Sequence, residues 1–168
     1  MKSEALLRDT KYRWSQLCGT AVVCLAAVGT GCTSLPEGSP QIHQRALSFT
    51  PPQGKAGVYA LAGRIPQVLV SIDALPFGTV QKGYYLYGVV NPGQHVVAVL
   101  SGEGSSKGKF TAEAGRNYYF VIGTGWVGQK VTAELPDEEG MRKVRKLRLS
   151  GESHFEFDDE LKGTKGTK

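Results

Sequence analysis

Residues 84–100 read YYLYGVVNPGQHVVAVL. Tyr84 to Val90 is rich in aromatic and β-branched residues, the composition of a strand on a pleated, packed surface. His95 to Leu100 is a second run of the same kind. Between them, Asn91-Pro92-Gly93-Gln94 is a turn with a mechanism: Pro sets φ at the second place and Gly accepts positive φ at the third. The same texture continues outward in both directions. Val58, Ala60 and Ala62 alternate with Tyr59 and Leu61, and Val68 to Ile72 is another apolar run. Asp73 to Phe77, containing Pro76, reads as a turn, and Gly102 to Gly108 as a mobile loop. Phe110 and Ala112 share one face of a strand. Ala114 to Asn117 turns, Tyr118 to Ile122 is a strand, Gly123 to Gly128 turns, and Val131, Ala133 and Leu135 alternate. About seven short strands separated by turn signals predict a mainly β chain, an antiparallel β-sandwich over residues 55–150.

One C-terminal helix is predicted to pack on that sandwich. Asp137, Glu138 and Glu139 stand at its start, and five basic residues lie between Arg142 and Arg148. Acid first and base last suits the helix macrodipole, and Glu138–Arg142 and Glu139–Lys143 are i,i+4 pairs. Met141, Val144 and Leu147 form a narrow apolar stripe. Gly140 lowers helix propensity by about 1 kcal/mol relative to Ala. Residues 151–168 read as a polar tail.

The first 31 residues have a different character. Four basic residues precede Leu17 to Val28, a run without charge, and Gly29-Thr30-Gly31-Cys32 follows. A positive segment, a short apolar segment and small residues before a cut site describe a secretory signal. The run is too short to span a bilayer, which takes ~20 residues. Thr30-Gly31-Cys32 resembles the lipobox of bacterial lipoproteins, although Gly29 stands where a Leu is usual. The resemblance implies a signal peptide over 1–31, cleavage before Cys32, and lipid attached to the Cys32 thiol. Thr33 in place of an Asp implies passage to the outer membrane, facing the periplasm, with the inner membrane or cell surface as the alternatives. Residues 32–54, rich in Pro, Ser, Gly and Gln, read as a flexible tether. All three cysteines lie at or before Cys32, so the mature chain retains one and has no internal disulfide or cysteine metal site.

The whole chain carries 20 basic and 15 acidic residues; loss of Lys2, Arg8, Lys11, Arg13, Glu4 and Asp9 with the leader leaves 16 and 13. That excess is too small to indicate nucleic acid and is compatible with an anionic membrane surface.

From Gly57 to about Leu149 the chain resembles an uncharacterised family of bacterial lipoprotein domains, the domain of unknown function 2846. Gly57-Val58-Tyr59, Val68 to Ala74, Gly83-Tyr84-Tyr85, Asn91-Pro92-Gly93-Gln94-His95, Ala114 to Tyr119 and Asp137 to Gly140 carry the resemblance. The Pro-Gly turn before an alternating strand is also similar to PEGA-type β-sandwich modules. Both imply a β-sandwich, and neither implies an activity.

Other motifs carry little chemistry. Gly123-Thr124-Gly125-Trp126-Val127-Gly128 fits G-x-G-x-x-G after a strand, but the following residues alternate like a strand, where a dinucleotide site needs a helix. Residues 102–109 miss the phosphate-loop spacing twice. His43, His95 and His154 lack ligand spacing, so neither metal nor cofactor is expected. Asp73 and His95 can approach across strands, which keeps an envelope hydrolase in view. Tyr85, Tyr119, Trp126 and His95 are the candidate binding residues. Aromatics of this kind either fill a core or, on an open face, meet a sugar or a protein. The basic run 142–148 either meets lipid headgroups or an anionic glycan, or is the solvated face of a helix. The expected role is a non-enzymatic structural or protein-interaction module of the envelope. Its expected partners are the membrane, through lipid on Cys32, and an envelope protein or peptidoglycan.

Overall fold

The computed structural model describes residues 35–101, 104–125, 128–151 and 153. The leader, Cys32, Trp126 and residues 154–168 lie outside the described residues.

The run that begins at Tyr84 becomes a strand buried along its whole length. Tyr84, Leu86 and Val90 join one apolar cluster, while Tyr85, Tyr87 and Val89 join a second on the opposite side. This is the period of two that a strand backbone imposes. Ala56–Ala62 (β1) follows the same rule, with Val58 and Ala60 on one side and Tyr59 and Leu61 on the other. Val68–Ile72 (β2), Leu75–Val80 (β3), Tyr84–Val90 (β4), Gly93–Ser101 (β5), Gly104–Ala112 (β6), Asn117–Thr124 (β7), Gln129–Leu135 (β8) and Arg148–Leu149 (β9) complete the strands. They form two sheets, ordered β8-β7-β1-β4-β9 and β3-β2-β5-β6. The larger apolar cluster draws on both: Val58, Leu86 and Phe120 from the five-stranded sheet, and Val70, Phe77, Val97 and Phe110 from the four-stranded one.

The chain is therefore mainly β, with differences from the expected arrangement. The sheets are not purely antiparallel. β1 pairs with β7 in parallel, Val58 opposite Tyr118, and β4 pairs with β9 in parallel. Parallel neighbours need a long crossover, and β2 to β6 supply one between β1 and β7. Two segments read as turn and loop are strands. Asp73 and Ala74 alone turn the chain, with φ of 50° and 66°; positive φ at both central residues matches the twist of a two-residue hairpin. Pro76 consequently lies in β3, an edge strand, where its missing N–H costs no ladder bond. The predicted loop 102–108 is occupied from Gly104 by β6, paired along its length with β5. The Asn91–Gln94 turn has the expected left-handed glycine, Gly93 at φ 142°.

The flexible tether predicted for 32–54 is corrected by the structure from Leu35 onward. Pro40–Ser48 is a helix, α1, with Pro at its start. Its sequence hides an amphipathic stripe within a polar composition. Ala46 is fully buried, and Ile42, Leu47 and Phe49 pack on the second cluster. Ahead of it, Leu35 is buried, and Gly38 N–H donates to the Leu149 carbonyl at 2.9 Å.

At the other end, Asp137–Val144 forms a helix, α2, shorter than the charge pattern to Arg148 predicts. It tightens through Leu147 N–H to the Val144 carbonyl, 3.0 Å, and gives way to β9. Arg148 N–H and Ser150 N–H then donate to the Gly83 and Tyr85 carbonyls on the edge of β4. Beyond β9, Ser153 continues the pairing with its side chain: its hydroxyl accepts from Tyr87 N–H and donates to the Tyr87 carbonyl. The polar tail predicted from 151 thus has, at its third residue, a buried serine that belongs to the sheet edge.

Candidate functional site

The closest approach to a catalytic grouping lies where the β2–β3 turn meets the start of β5. Asp73 N–H donates to the Val96 carbonyl, and Val96 N–H donates back to Asp73 Oδ1, each at 2.9 Å. The second carboxylate oxygen, Oδ2, is 2.7 Å from His95 Nδ1. His95 Nε2 lies 2.7 Å from the Asn91 main-chain carbonyl oxygen. A carbonyl can only accept, so Nε2 carries the hydrogen and donates it. Lys55 Nζ donates to Asn91 Oδ1 at 2.7 Å, and the Phe110 ring lies 5.5 Å from the imidazole. The sequence-level possibility that Asp73 and His95 meet across strands is realised.

This grouping has the acid and the imidazole of a triad in contact, but its outer nitrogen is committed. A general base presents a nitrogen lone pair to the nucleophile it activates. His95 instead gives Nε2–H to its own turn, in a side chain that is 8% exposed. What the arrangement does is tie two turns, Asp73–Ala74 and Asn91–Gly93, to the first residues of β5.

The aromatic candidates form a second grouping. On the outer face of the five-stranded sheet, the Tyr59 ring centre lies 4.8 Å from that of Tyr119, 4.9 Å from Tyr87 and 6.3 Å from Tyr85. The reading of Tyr85 and Tyr119 as open-face binding residues is corrected here: both are fully buried. Two helices cover this face. Tyr59 Oη donates to the Ala46 carbonyl of α1 at 2.7 Å, and Tyr85 Oη is 3.0 Å from His43 Nδ1 on the same helix. Over Tyr119 lies Gly140 of α2, where an added Cβ would stand 2.2 Å from Tyr119 Cγ. Burial pushes the hydroxyl pKa of all three tyrosines far above the ordinary range. For Tyr59 the neighbouring Tyr87, Tyr119 and Tyr85 add to it. For Tyr85, Tyr87 adds to it, and for Tyr119 the Asp137 charge adds while Arg145 opposes.

No family model matches the chain, and no curated protein does.

The remaining candidates divide simply. Cys32 and Trp126 lie outside the described residues. The G-x-G-x-x-G segment joins two antiparallel strands, Thr124 of β7 opposite Gln129 of β8, with Gly125 N–H donating to the Gly128 carbonyl at 2.8 Å. A strand follows it, where a dinucleotide site needs a helix. Among the described residues, no three His, Cys, Asp or Glu side chains gather as metal ligands. No described helix is long and apolar enough to cross a membrane. The basic run remains on the surface. Arg142, Lys143, Arg145, Lys146 and Arg148 are all exposed, with Lys143 paired to Glu139 at 3.0 Å and Arg148 to Glu37 at 3.1 Å. Sequence reasoning missed Asn91 as the partner of His95, since a main-chain acceptor leaves no mark in residue type. It also missed Ser153, whose signal is a lone small hydroxyl in a polar stretch.

Proposed function

We propose that this chain is an exported bacterial lipoprotein, anchored through lipid on Cys32, whose β-sandwich domain with its closing helix is a non-enzymatic structural or protein-interaction module of the cell envelope. The observation that carries this reading is the order of residues 1–32: basic segment, uncharged apolar run, then Thr30-Gly31-Cys32. Each buried acyl CH₂ contributes about 0.8 kcal/mol, so one chain holds marginally and a diacylglyceryl thioether holds firmly. The outer membrane, on its periplasmic side, is the proposed address. The resemblance to the domain of unknown function 2846 and to PEGA-type modules agrees with this placement.

Two features of the domain favour a module over an enzyme. The Asp73–His95 pair spends both ring nitrogens on holding turns. The tyrosine cluster, the richest store of binding residues in the sequence, is spent on packing α1 and α2 to the sheet. A glycan-binding reading would therefore have to draw on Trp126 rather than on Tyr85 or Tyr119.

Metabolic labelling with radioactive palmitate tests the anchor. The wild-type chain is expected to take up label and to run as a shortened mature form. Cys32→Ser is expected to take up none and to accumulate at precursor length. Label retained by Cys32→Ser would remove the anchor from this position.

A further inference from the structure

The fold grips the chain immediately after the proposed anchor. The Leu35 carbonyl accepts from the Tyr84 hydroxyl at 3.2 Å. The Pro36 carbonyl accepts from Gly151 N–H at 2.7 Å, Glu37 bridges to Ser150, and Gly38 N–H donates to the Leu149 carbonyl. Four consecutive residues are held. Three peptide units separate Cys32 from Leu35, a reach of at most about 11 Å. A tether of 22 residues would let the domain drift away from a bilayer; a reach of three does not.

The surface beside this point is cationic. Arg148, in β9, places its guanidinium 5.9 Å from the centre of the Tyr84 ring, the same tyrosine that holds Leu35. Its side chain is 67% exposed. Arg145 and Lys146 occupy the link from α2 to β9, and Arg142 and Lys143 the last turn of α2, all exposed. Among the described residues, Glu37 pairs with Arg148 and Glu139 with Lys143, each neutralising one cation. Asp137 and Glu138 sit at the opposite end of the helix. We propose that the surface formed by β9 and the C-terminal end of α2 lies against the bilayer that holds Cys32 and binds anionic phospholipid headgroups; the proposal rests on Cys32 being the anchor. The lipid already holds the chain at the bilayer, and a polybasic patch adds attraction to anionic headgroups that fixes which face lies against it. Leu35 to Gly38 run beside β9, and Cys32 stands only three residues ahead of Leu35 in the chain, so the proposed anchor is tied within a short reach of the basic surface.

The test uses the purified lipidated protein in vesicles of phosphatidylethanolamine and phosphatidylglycerol that include a lipid with a nitroxide on its headgroup. The mature chain retains a single cysteine, Cys32, whose thiol is blocked when lipidated. Lys146→Cys and Lys107→Cys each then offer one site for a thiol-reactive fluorophore. Lys107 is exposed on β6, in the sheet that α1 and α2 do not cover. Quenching at position 146 is expected to exceed that at 107 by about twofold or more, and the excess is expected to fall when phosphatidylcholine replaces phosphatidylglycerol, since headgroup attraction acts within a Debye length. Equal quenching at the two positions overturns the docking face. An excess indifferent to phosphatidylglycerol overturns the anionic headgroup as its ligand. Loss of the excess on adding purified peptidoglycan assigns the face to that polymer and overturns the proposal as well. Fluorophore uptake by the wild-type chain has a different meaning: the Cys32 thiol is free, and the anchor reading fails first.

Discussion

Tyr119 carries a buried hydroxyl that meets no hydrogen-bond partner among the described residues. Its neighbour Tyr59 carries one that is satisfied by the Ala46 carbonyl at 2.7 Å. The same substitution should therefore act in opposite directions at two rings 4.8 Å apart. Tyr59→Phe removes the shorter of two bonds to the Ala46 carbonyl, which keeps only the 3.3 Å bond from Phe49 N–H, a loss of about 1 kcal/mol. Tyr119→Phe removes a polar atom whose desolvation nothing repays, and is expected to raise stability by about 1 kcal/mol. Urea denaturation of the two variants measures both, read as midpoint shifts at constant slope. A loss at Tyr119 as large as that at Tyr59 would mean that its hydroxyl has a partner after all. At this scale the sequence is legible only in part. It shows that Tyr85 and Tyr87 point to one side of their strand, and Tyr59 and Leu61 to one side of theirs, because alternation follows from the backbone. It does not show that the face is covered, because what covers it lies far away in the chain.

The elements that cover it are the two helices, and each has a residue that decides the contact. In α2 that residue is Gly140. Alanine there gains about 1 kcal/mol in helix propensity, yet its Cβ would enter the Tyr119 ring, 2.2 Å from Cγ. Overpacking of this kind costs about 1–3 kcal/mol, and Tyr119 is hemmed in by Tyr59 on its other side. Gly140→Ala is expected to lower the denaturation midpoint despite the better helix former. A raised midpoint would show that α2 floats free of the sheet. In α1 the deciding residue is Ala46, fully buried with its carbonyl bound to Tyr59. In a flexible tether Ala46→Asp would be neutral; in a packed helix it buries a carboxylate without a partner and should cost several kcal/mol. The reason α1 escapes a sequence reading is visible in its composition. PQIHQRALS supplies few apolar side chains, and its stripe is completed by Phe49, one residue past the end. The helix near the C-terminus was easier to read because its charges are sorted along it. Its end was not, since Arg148 and Leu149 are claimed by the sheet edge of β4.

At the scale of the whole molecule, the tyrosine cluster ties stability to alkaline pH. Burial raises the hydroxyl pKa of Tyr59, Tyr85 and Tyr119 well above the value of about 10 they have in an unfolded chain. Below that value both states hold the proton, and the cluster contributes its full packing. Above it the unfolded state releases protons that the folded state retains, so the unfolded state is favoured progressively as pH rises. Each such tyrosine removes about 1.4 kcal/mol of stability per pH unit, and three together about 4 kcal/mol. A domain with a stability of about 5–10 kcal/mol, within the usual range, would then unfold within about one to three pH units above 10. The expected result is a single cooperative transition in which tyrosinate absorbance rises as the far-ultraviolet strand signal is lost. Because both helices rest on these rings, ionisation of the cluster and release of α1 and α2 should be the same event. Tyrosinate absorbance that is complete while the strand signal stands intact would show that the rings reach solvent without unfolding, and would remove the cluster from the core.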